Sequence, residues 1–433
     1  MSRTSPSPGE QTDHVVIIGA GIVGISAGIW LQRAGVSVTL VDPNGPAGGT
    51  SYGNAGVLAA SSIIPVTAPG LMKTAPKYLM DPQSPLFLRW SYLPKLLPFL
   101  AKYLPYAREN RTRVIADGLA AILHDTADQH VAVSKGTGAE RYVDVGDYVF
   151  GYDSEAAFKA DAFGWGLRTE HGLEFEPMDE AAVAAYDPFM AGRFPFAVRC
   201  PNHGRITDPG AYVKALAAHL ESVGGRFVKA KVSDIVMEGD RTKGVVTDHG
   251  HIEGDAVILA TGIWSKPLAE KLGVAVPMEA ERGYHMEFID PPVMPKAPIM
   301  VTSKKYVLTP MGQGQTSRLR CAGIVEFGGL TTKKSRAPLE LLRKRTLELV
   351  PELAECETVD WLGFRPSTSD SLPVIGATPK ASNVFTGYGH QHVGLTAGPK
   401  TGRWLAQLIT GETPNVDLAP YSPNRFNRSP VSH

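Results

Sequence analysis

Apolar residues fall into two rhythms along this chain, and their order predicts an α/β protein. His14-Val15-Val16-Ile17-Ile18 is a short, nearly continuous apolar run of the kind a buried strand makes. Gly19-Ala20-Gly21-Ile22-Val23-Gly24 follows, then a helical stretch to about Ala34 and a second strand from Val36 to Val41, ending on Asp42. Helical patterns occupy roughly 66–80, 86–105 and 109–135, Tyr142 to Tyr152 alternates like a strand or hairpin, and Ser154 to Glu170 is again helical. A well-signalled helix opens after Asp208-Pro209-Gly210 and runs to Val223, closed by Gly224-Gly225. Strands are expected over 226–237, 243–248 and 251–260, short antiparallel strands from Arg282 to Phe327, and a helix from Pro338 to Val350. The α/β rhythm returns at the end, with a strand from Val384 to Thr386, a glycine turn and a helix from Gly394 to Ile409.

This order implies a Rossmann-like domain assembled from three separated pieces, 13–65, 205–275 and 362–425. The intervening segments, 66–204 and 276–361, form an α+β lobe with a mainly antiparallel sheet. Residues 1–12 are polar, contain two prolines and are expected to be a flexible tail. A length of 433 residues with 43% hydrophobic content suits two or three lobes.

Charge narrows the partners. Lys and Arg total 43, as do Asp and Glu, so no overall basic field argues for nucleic acid. Cys200, Cys321 and Cys356 are far apart and odd in number, which implies no disulfide framework and no metal cluster. A reducing, cytoplasmic location is expected. No run approaches the ~20 uninterrupted apolar residues of a spanning helix. The stretch 86–104 mixes leucines, aromatics and Lys/Arg, and two readings stand. It is a helix at the inner face of the cytoplasmic membrane, or one packed on the substrate lobe. The second is preferred.

Candidate chemistry begins at the first glycine turn. Gly19 allows the tight turn, Gly21 lets backbone approach a pyrophosphate, and Gly24 lets helix pack on strand. Ile22 and Val23 open the helix, whose free N–H groups and partial positive charge suit phosphates. Asp42 follows near the spacing of about 20 residues expected for the acid that holds a ribose hydroxyl, with Pro43 beside it. An NAD enzyme completes such a site within one contiguous domain. Here glycine-rich loops recur at 48–56, at Gly262 and at 387–402. That spread fits FAD, whose length draws contacts from distant segments. Thr50, Ser51, Asn54, Ala55, Gly56 and Val57 in the first loop, and Ala260, Thr261, Gly262 and Trp264 after a strand, are cofactor candidates, as is Val232. His392, Val393, Gly394, Leu395 and Thr396 precede or open the last helix, whose dipole would favour negative charge on a reduced flavin.

Four stretches then resemble one family. They are Gly49-Thr50-Ser51-Tyr52-Gly53-Asn54-Ala55-Gly56, Ala322-Gly323-Ile324-Val325-Glu326-Phe327-Gly328-Gly329, Gly363-Phe364-Arg365-Pro366-Ser367-Thr368-Ser369-Asp370, and the 387–402 segment. Together they resemble the D-amino-acid oxidase superfamily, most of all its bacterial D-amino-acid dehydrogenase branch, over most of residues 14–412. The resemblance implies noncovalent FAD and oxidation of a free amino acid to an imino acid, which hydrolyses to a 2-oxo acid and ammonia. It also implies electrons passed to a quinone or another carrier.

By that resemblance Arg365 sits at the substrate carboxylate, where a guanidinium makes a planar two-point contact. The alternative is a structural pairing of Arg365 with Asp370 or Asp360. Tyr284 matches a family tyrosine near the carboxylate, against a buried core tyrosine as the alternative. Tyr52 is placed beside the substrate pocket, and His390 and His392 are pocket candidates that are as readily hydrogen-bonding scaffolds. Glu326 is read as structural, bridged to Arg320. Two other functions remain open: oxidation of a secondary amine such as D-hydroxyproline, proline or sarcosine, and a flavin-binding, non-catalytic subunit of a hetero-oligomeric dehydrogenase.

Overall fold

The computed structural model describes residues 12–71, 81, 83–312 and 314–427. Most of the tail and of the helix expected over 66–80 therefore lies outside the described residues. Two sheets organise the rest.

The first sheet has six strands in the order Val374–Ala377, Val384–Tyr388, Ala256–Leu259, His14–Ile18, Ser37–Val41, Arg226–Val228. All neighbours run parallel except the first pair. His14–Ile18 reads as a continuous apolar run because both of its faces are covered. Val15 and Ile17 pack into the core made with helices Ile22–Arg33, Pro209–Ser222 and Gly394–Ile409. Val16 and Ile18 enter a second core with Ile235 and Val245, from a three-stranded sheet over Val232–Glu253. Helices Ile22–Arg33 and Gly394–Ile409 touch backbone to backbone: a Cβ on Gly402 would stand 2.5 Å from the Ala27 nitrogen.

The second sheet has nine strands and is mainly antiparallel. Its order is Thr358–Thr368, Met278–Ile289, Arg318–Phe327, Tyr306–Met311, Ile299–Val301, Val143–Tyr152, Phe196–Ile206, Glu176–Asp179, with Leu86–Leu88 added beside Arg318–Phe327. Helix Arg336–Leu349 covers one face through Leu341 and Leu342, against Tyr284, Met286 and Phe288. The α/β domain with an antiparallel second lobe is thus present.

Several elements differ in detail from the sequence reading. The stretch 109–135 is two helices, Glu109–Leu123 and Thr126–Ser134, and 154–170 is likewise two, Glu155–Ala160 and Ala162–Glu170. Strands Phe196–Ile206 and Thr358–Thr368 were not anticipated. The first contains Pro201 and Gly204, and its pairing shifts register, so no clean alternation marks it. The second runs through the expected boundary at 362 and belongs to the substrate-lobe sheet. The segment 86–104 is a short strand, then helix Leu93–Tyr103 with Leu96, Phe99 and Tyr103 buried against Phe327. No helix among the described residues is long and apolar enough to cross a membrane.

Candidate active site

A cavity of about 1910 Å³ lies where the two sheets meet, lined from both. Along one part are Gly19, Gly21, Ile22, Val23, Asp42, Pro43 and Val232. Thr50, Ser51, Asn54, Ala55, Gly56, Val57, Ala260, Thr261, Gly262 and Trp264 continue the wall. Arg365, His390, His392, Val393, Gly394, Leu395 and Thr396 complete it. Gly24 is absent from this lining because it serves packing: a Cβ there would sit 2.1 Å from the Gly19 carbonyl oxygen.

The turn that opens the cavity is fixed by backbone contacts. Gly19 has φ +109°, and a Cβ on it would lie 2.5 Å from the Ala260 carbonyl oxygen, so only glycine fits. Helix Ile22–Arg33 has no side-chain cap from its N-cap residue and no acid in its first turn. The Ile22 N–H donates to the Ser51 hydroxyl at 3.0 Å. Asp42 accepts from the Ala20 N–H at 3.0 Å and from the Asn44 N–H at 2.8 Å, one bond per carboxylate oxygen. Each oxygen keeps a lone pair for a hydroxyl donor.

The loop after Gly49 is a single helical turn, Thr50–Gly53, held from several sides. Asn54 donates to the Thr50 and Ser51 carbonyls and accepts from the Gly56 N–H. Arg320, paired with Glu287, donates to the Asn54 carbonyl. The Gly53 carbonyl lies 2.8 Å from His285 Nδ1. Trp361 stacks on His285 with ring centroids 5.2 Å apart, and its indole fills the space a Cβ on Gly53 would need. His285 is thereby pushed down to about 3 by burial, then by the Arg320 charge. Tyr52 faces outward from this turn, 44% exposed and packed on Gly210. The expectation that it lines the substrate pocket is corrected: the one-turn helix rotates it away.

Arg365 stands on strand Thr358–Thr368 and lies flat over Gly283 of the neighbouring strand. A Cβ on Gly283 would meet the guanidinium carbon at 2.5 Å. Among the described residues its guanidinium makes one hydrogen bond, a long one of 3.4 Å to the Ile324 carbonyl. The structural alternative fails, because Asp370 pairs with Arg425 and Asp360 with Lys334. Burial lowers the Arg365 pKa from its ordinary value, with Glu281 opposing. The result is a cation facing a cavity with no carboxylate paired to it among the described residues. Such a group is costly unless an anion completes it.

Tyr284 borders the same cavity, but its hydroxyl is engaged away from Arg365. It lies on the other face of its strand, with Met286 and Phe288 in the substrate-lobe core. Its hydroxyl donates to Glu326 at 2.6 Å and accepts from Arg282 at 3.0 Å and the Ser335 N–H at 3.2 Å. The expected second carboxylate donor thus lines the cavity, with its hydroxyl hydrogen bond already given to Glu326. Glu326 is structural, as read, but it bridges Arg282 and Arg89, while Arg320 takes Glu287.

The two candidate histidines differ. His390 is buried with Nε2 2.9 Å from the Thr401 hydroxyl, and burial pushes it down to about 3. His392 is exposed to the cavity it lines and makes no side-chain hydrogen bond among the described residues; desolvation by the surrounding walls, then the Arg365 charge, push it down from its ordinary value. Both shifts favour the uncharged ring, that of buried His390 the more firmly. Sequence reasoning missed Glu281 and Tyr103, which also border it. No local motif marks either one; only cross-strand register and the fold of helix Leu93–Tyr103 bring them in.

The residues present fit a dinucleotide. A Cβ on Gly49 or Gly262 would meet no protein atom within 4 Å, so cavity-side backbone is bare at both. Helix Gly394–Ile409 likewise has no side-chain cap, and its first residues border the cavity. Two helix starts without an N-cap side chain, the first with its Ile22 N–H on Ser51, and an acid at a strand end form a cradle for a pyrophosphate, a ribose and an electron-rich ring.

A flavoprotein oxidoreductase is the class these features define. The model of the FAD dependent oxidoreductase family (DAO) matches residues 14–408, and the chain belongs to that family. A D-amino-acid oxidase of Bradyrhizobium diazoefficiens is 38% identical over 420 residues, spanning 95% of this chain and 99% of the relative. A D-amino acid dehydrogenase of Rhizobium rhizogenes is 29% identical over 419 residues, spanning 95% and 99%. Among solved structures, glycine oxidase from Geobacillus kaustophilus superposes with a TM-score of 0.72 at 20% identity, over 96% of this chain and 99% of that one. The protein is an FAD-dependent oxidoreductase.

Proposed function

We propose that the protein oxidises a D-amino acid to its imino acid, which water converts to a 2-oxo acid and ammonia. Arg365 carries this reading: it is a guanidinium bordering the cofactor cavity with no carboxylate paired to it among the described residues. An α-carboxylate satisfies it through two parallel hydrogen bonds, each worth about 1.5–3 kcal/mol when charged and shielded. FAD, when bound, supplies the two-electron acceptor for the hydride that leaves Cα. Fixing the carboxylate orients the Cα–H toward that acceptor, at a near-attack distance of about 3–3.5 Å. Leu96, Leu100 and Phe327 give the cavity an apolar wall that keeps water from the reacting carbon. The uncapped start of helix Gly394–Ile409 favours the negative charge that builds on a reduced ring.

The D configuration is supported by the two relatives above, a D-amino-acid oxidase and a D-amino acid dehydrogenase. Electrons pass onward to a quinone or another carrier. Trp90 and Leu97, exposed beside helix-borne lysines, support a peripheral contact with the membrane where a quinone is reached. A secondary amine such as D-hydroxyproline, proline or sarcosine fits the same carboxylate anchor. Anaerobic mixing of the FAD-loaded protein with D-, L-, N-methyl and cyclic amino acids tests the proposal. Loss of the oxidised flavin absorbance with D-amino acids is expected; bleaching only by L- or secondary amines overturns it.

A further inference from the structure

Glu281 lies directly across from Arg365 in the antiparallel pairing of Met278–Ile289 with Thr358–Thr368, so the two side chains share a face. Neighbours so placed have Cβ atoms about 4.5–5.5 Å apart and ordinarily close an ion pair. These two do not. Arg365 folds along the strand over Gly283 toward the Ile324 carbonyl. Glu281, 4% exposed, accepts one hydrogen bond from the Ser367 hydroxyl and borders the cavity with no ion pair among the described residues. An acid and a base on adjacent strands thus open onto one space, separated by the missing side chain of Gly283. A zwitterion completes both, its carboxylate on the guanidinium and its ammonium on the acid.

We propose that Glu281 takes the proton from the substrate's ammonium group before the Cα–H is oxidised, a role that rests on the amino-acid oxidation proposed above. At neutral pH a free amino acid arrives protonated on nitrogen, and hydride loss from Cα needs a nitrogen lone pair to form the C=N bond. An N–H bond breaks, an O–H bond forms on Glu281, and the electron pair stays on nitrogen. The hydride then leaves carbon for the two-electron acceptor that FAD would supply, as the lone pair moves into C=N, and the carboxyl proton goes to solvent when the product departs. Other groups facing Glu281 are the Ser367 hydroxyl and the Tyr103 phenol at the end of helix Leu93–Tyr103. His390 and His392 face the same cavity, their shifts favouring the uncharged ring, while Glu279 on the same strand accepts from the Tyr92 hydroxyl. Burial raises the proton affinity of Glu281, with Ser367 and Arg365 opposing.

The test is the pH dependence of kcat/KM for the FAD-loaded wild type and Glu281→Gln, which keeps the shape and the Ser367 contact. The variant is expected to lose about 100-fold or more at pH 7. The deficit should close as pH nears the substrate's own amine pKa, where the free amine is supplied by solution. Binding of benzoate, a carboxylate without an amine, should be unchanged when followed through the flavin spectrum. An equal loss at every pH, no loss at all, or lost benzoate binding overturns the proposal. A wild type inert toward every amino acid sinks the underlying activity instead, and the wild-type assay alone reveals that.

Discussion

The guanidinium of Arg365 rests on the bare backbone of Gly283, with room there for no side chain at all. The glycine matters for what it leaves out. Gly283→Ala is expected to shift the guanidinium by a fraction of an ångström to an ångström. A misplacement of that size lowers kcat/KM by about 100-fold. FAD absorbance and thermal stability report whether the cofactor site survives; a variant with wild-type kcat/KM would show that Arg365 does not depend on this seat.

Arg365→Ala should raise KM strongly while leaving FAD bound. Losing both charged bonds of the two-point contact, about 1.5–3 kcal/mol each, corresponds to about 100-fold or more. Arg365→Lys should recover only part, since an ammonium does not reproduce the planar fork. Steady-state kinetics with a small D-amino acid, beside a flavin titration, separates the two effects.

Tyr284→Phe tests the reassignment of that residue. Its hydroxyl joins Glu326, Arg282 and the Ser335 backbone, so removal leaves buried polar groups short of a partner. A stability loss of about 1–3 kcal/mol is expected by denaturant titration. KM should not move. A large rise in KM would return Tyr284 to the carboxylate.

Acid should loosen the fold through its buried histidines. His130 and His203 are pushed down to about 4, and His285 and His390 to about 3, in each case mainly by burial. In the unfolded chain these rings titrate near 6.5. Between about 6.5 and 4 the unfolded state binds more protons, so stability is full above that window and falls as pH drops through it. Urea midpoints at pH 7.5 and 5 measure this, and replacing buried His203 by Gln should shallow the acid slope. A midpoint independent of pH across that range would refute the account.

The chemistry readable from sequence was the chemistry held in short segments. Gly19 to Gly24 announces itself because turn, helix start and strand end are contiguous, and Arg365 because it sits in a distinctive Gly-Phe-Arg-Pro run. Tyr284 was misjudged because the face a strand residue takes depends on pairing: register shifts between Tyr284 and His285 against Arg318–Phe327. Tyr52 depended on the rotation of a four-residue helix. Glu281 was invisible for a related reason. Nothing near it in the chain suggests chemistry, and its meaning comes from a cross-strand neighbour far along the sequence. Strand Phe196–Ile206, interrupted by Pro201 and Gly204, hid for want of rhythm.

Strand Thr358–Thr368 also bridges the two halves of the cavity wall. Ser367 pairs in an isolated β-bridge with His390, and the Gln391 N–H donates to the Pro366 carbonyl. The anchor for the substrate and the loop leading to the last helix are thereby stitched through main chain, without a hinge between them. Aim is consequently inherited from hydrogen-bonded main chain. Divergence toward new substrates would then proceed by resculpting the far wall, at Leu96, Leu100 and Tyr103, while the aiming apparatus stays where it is.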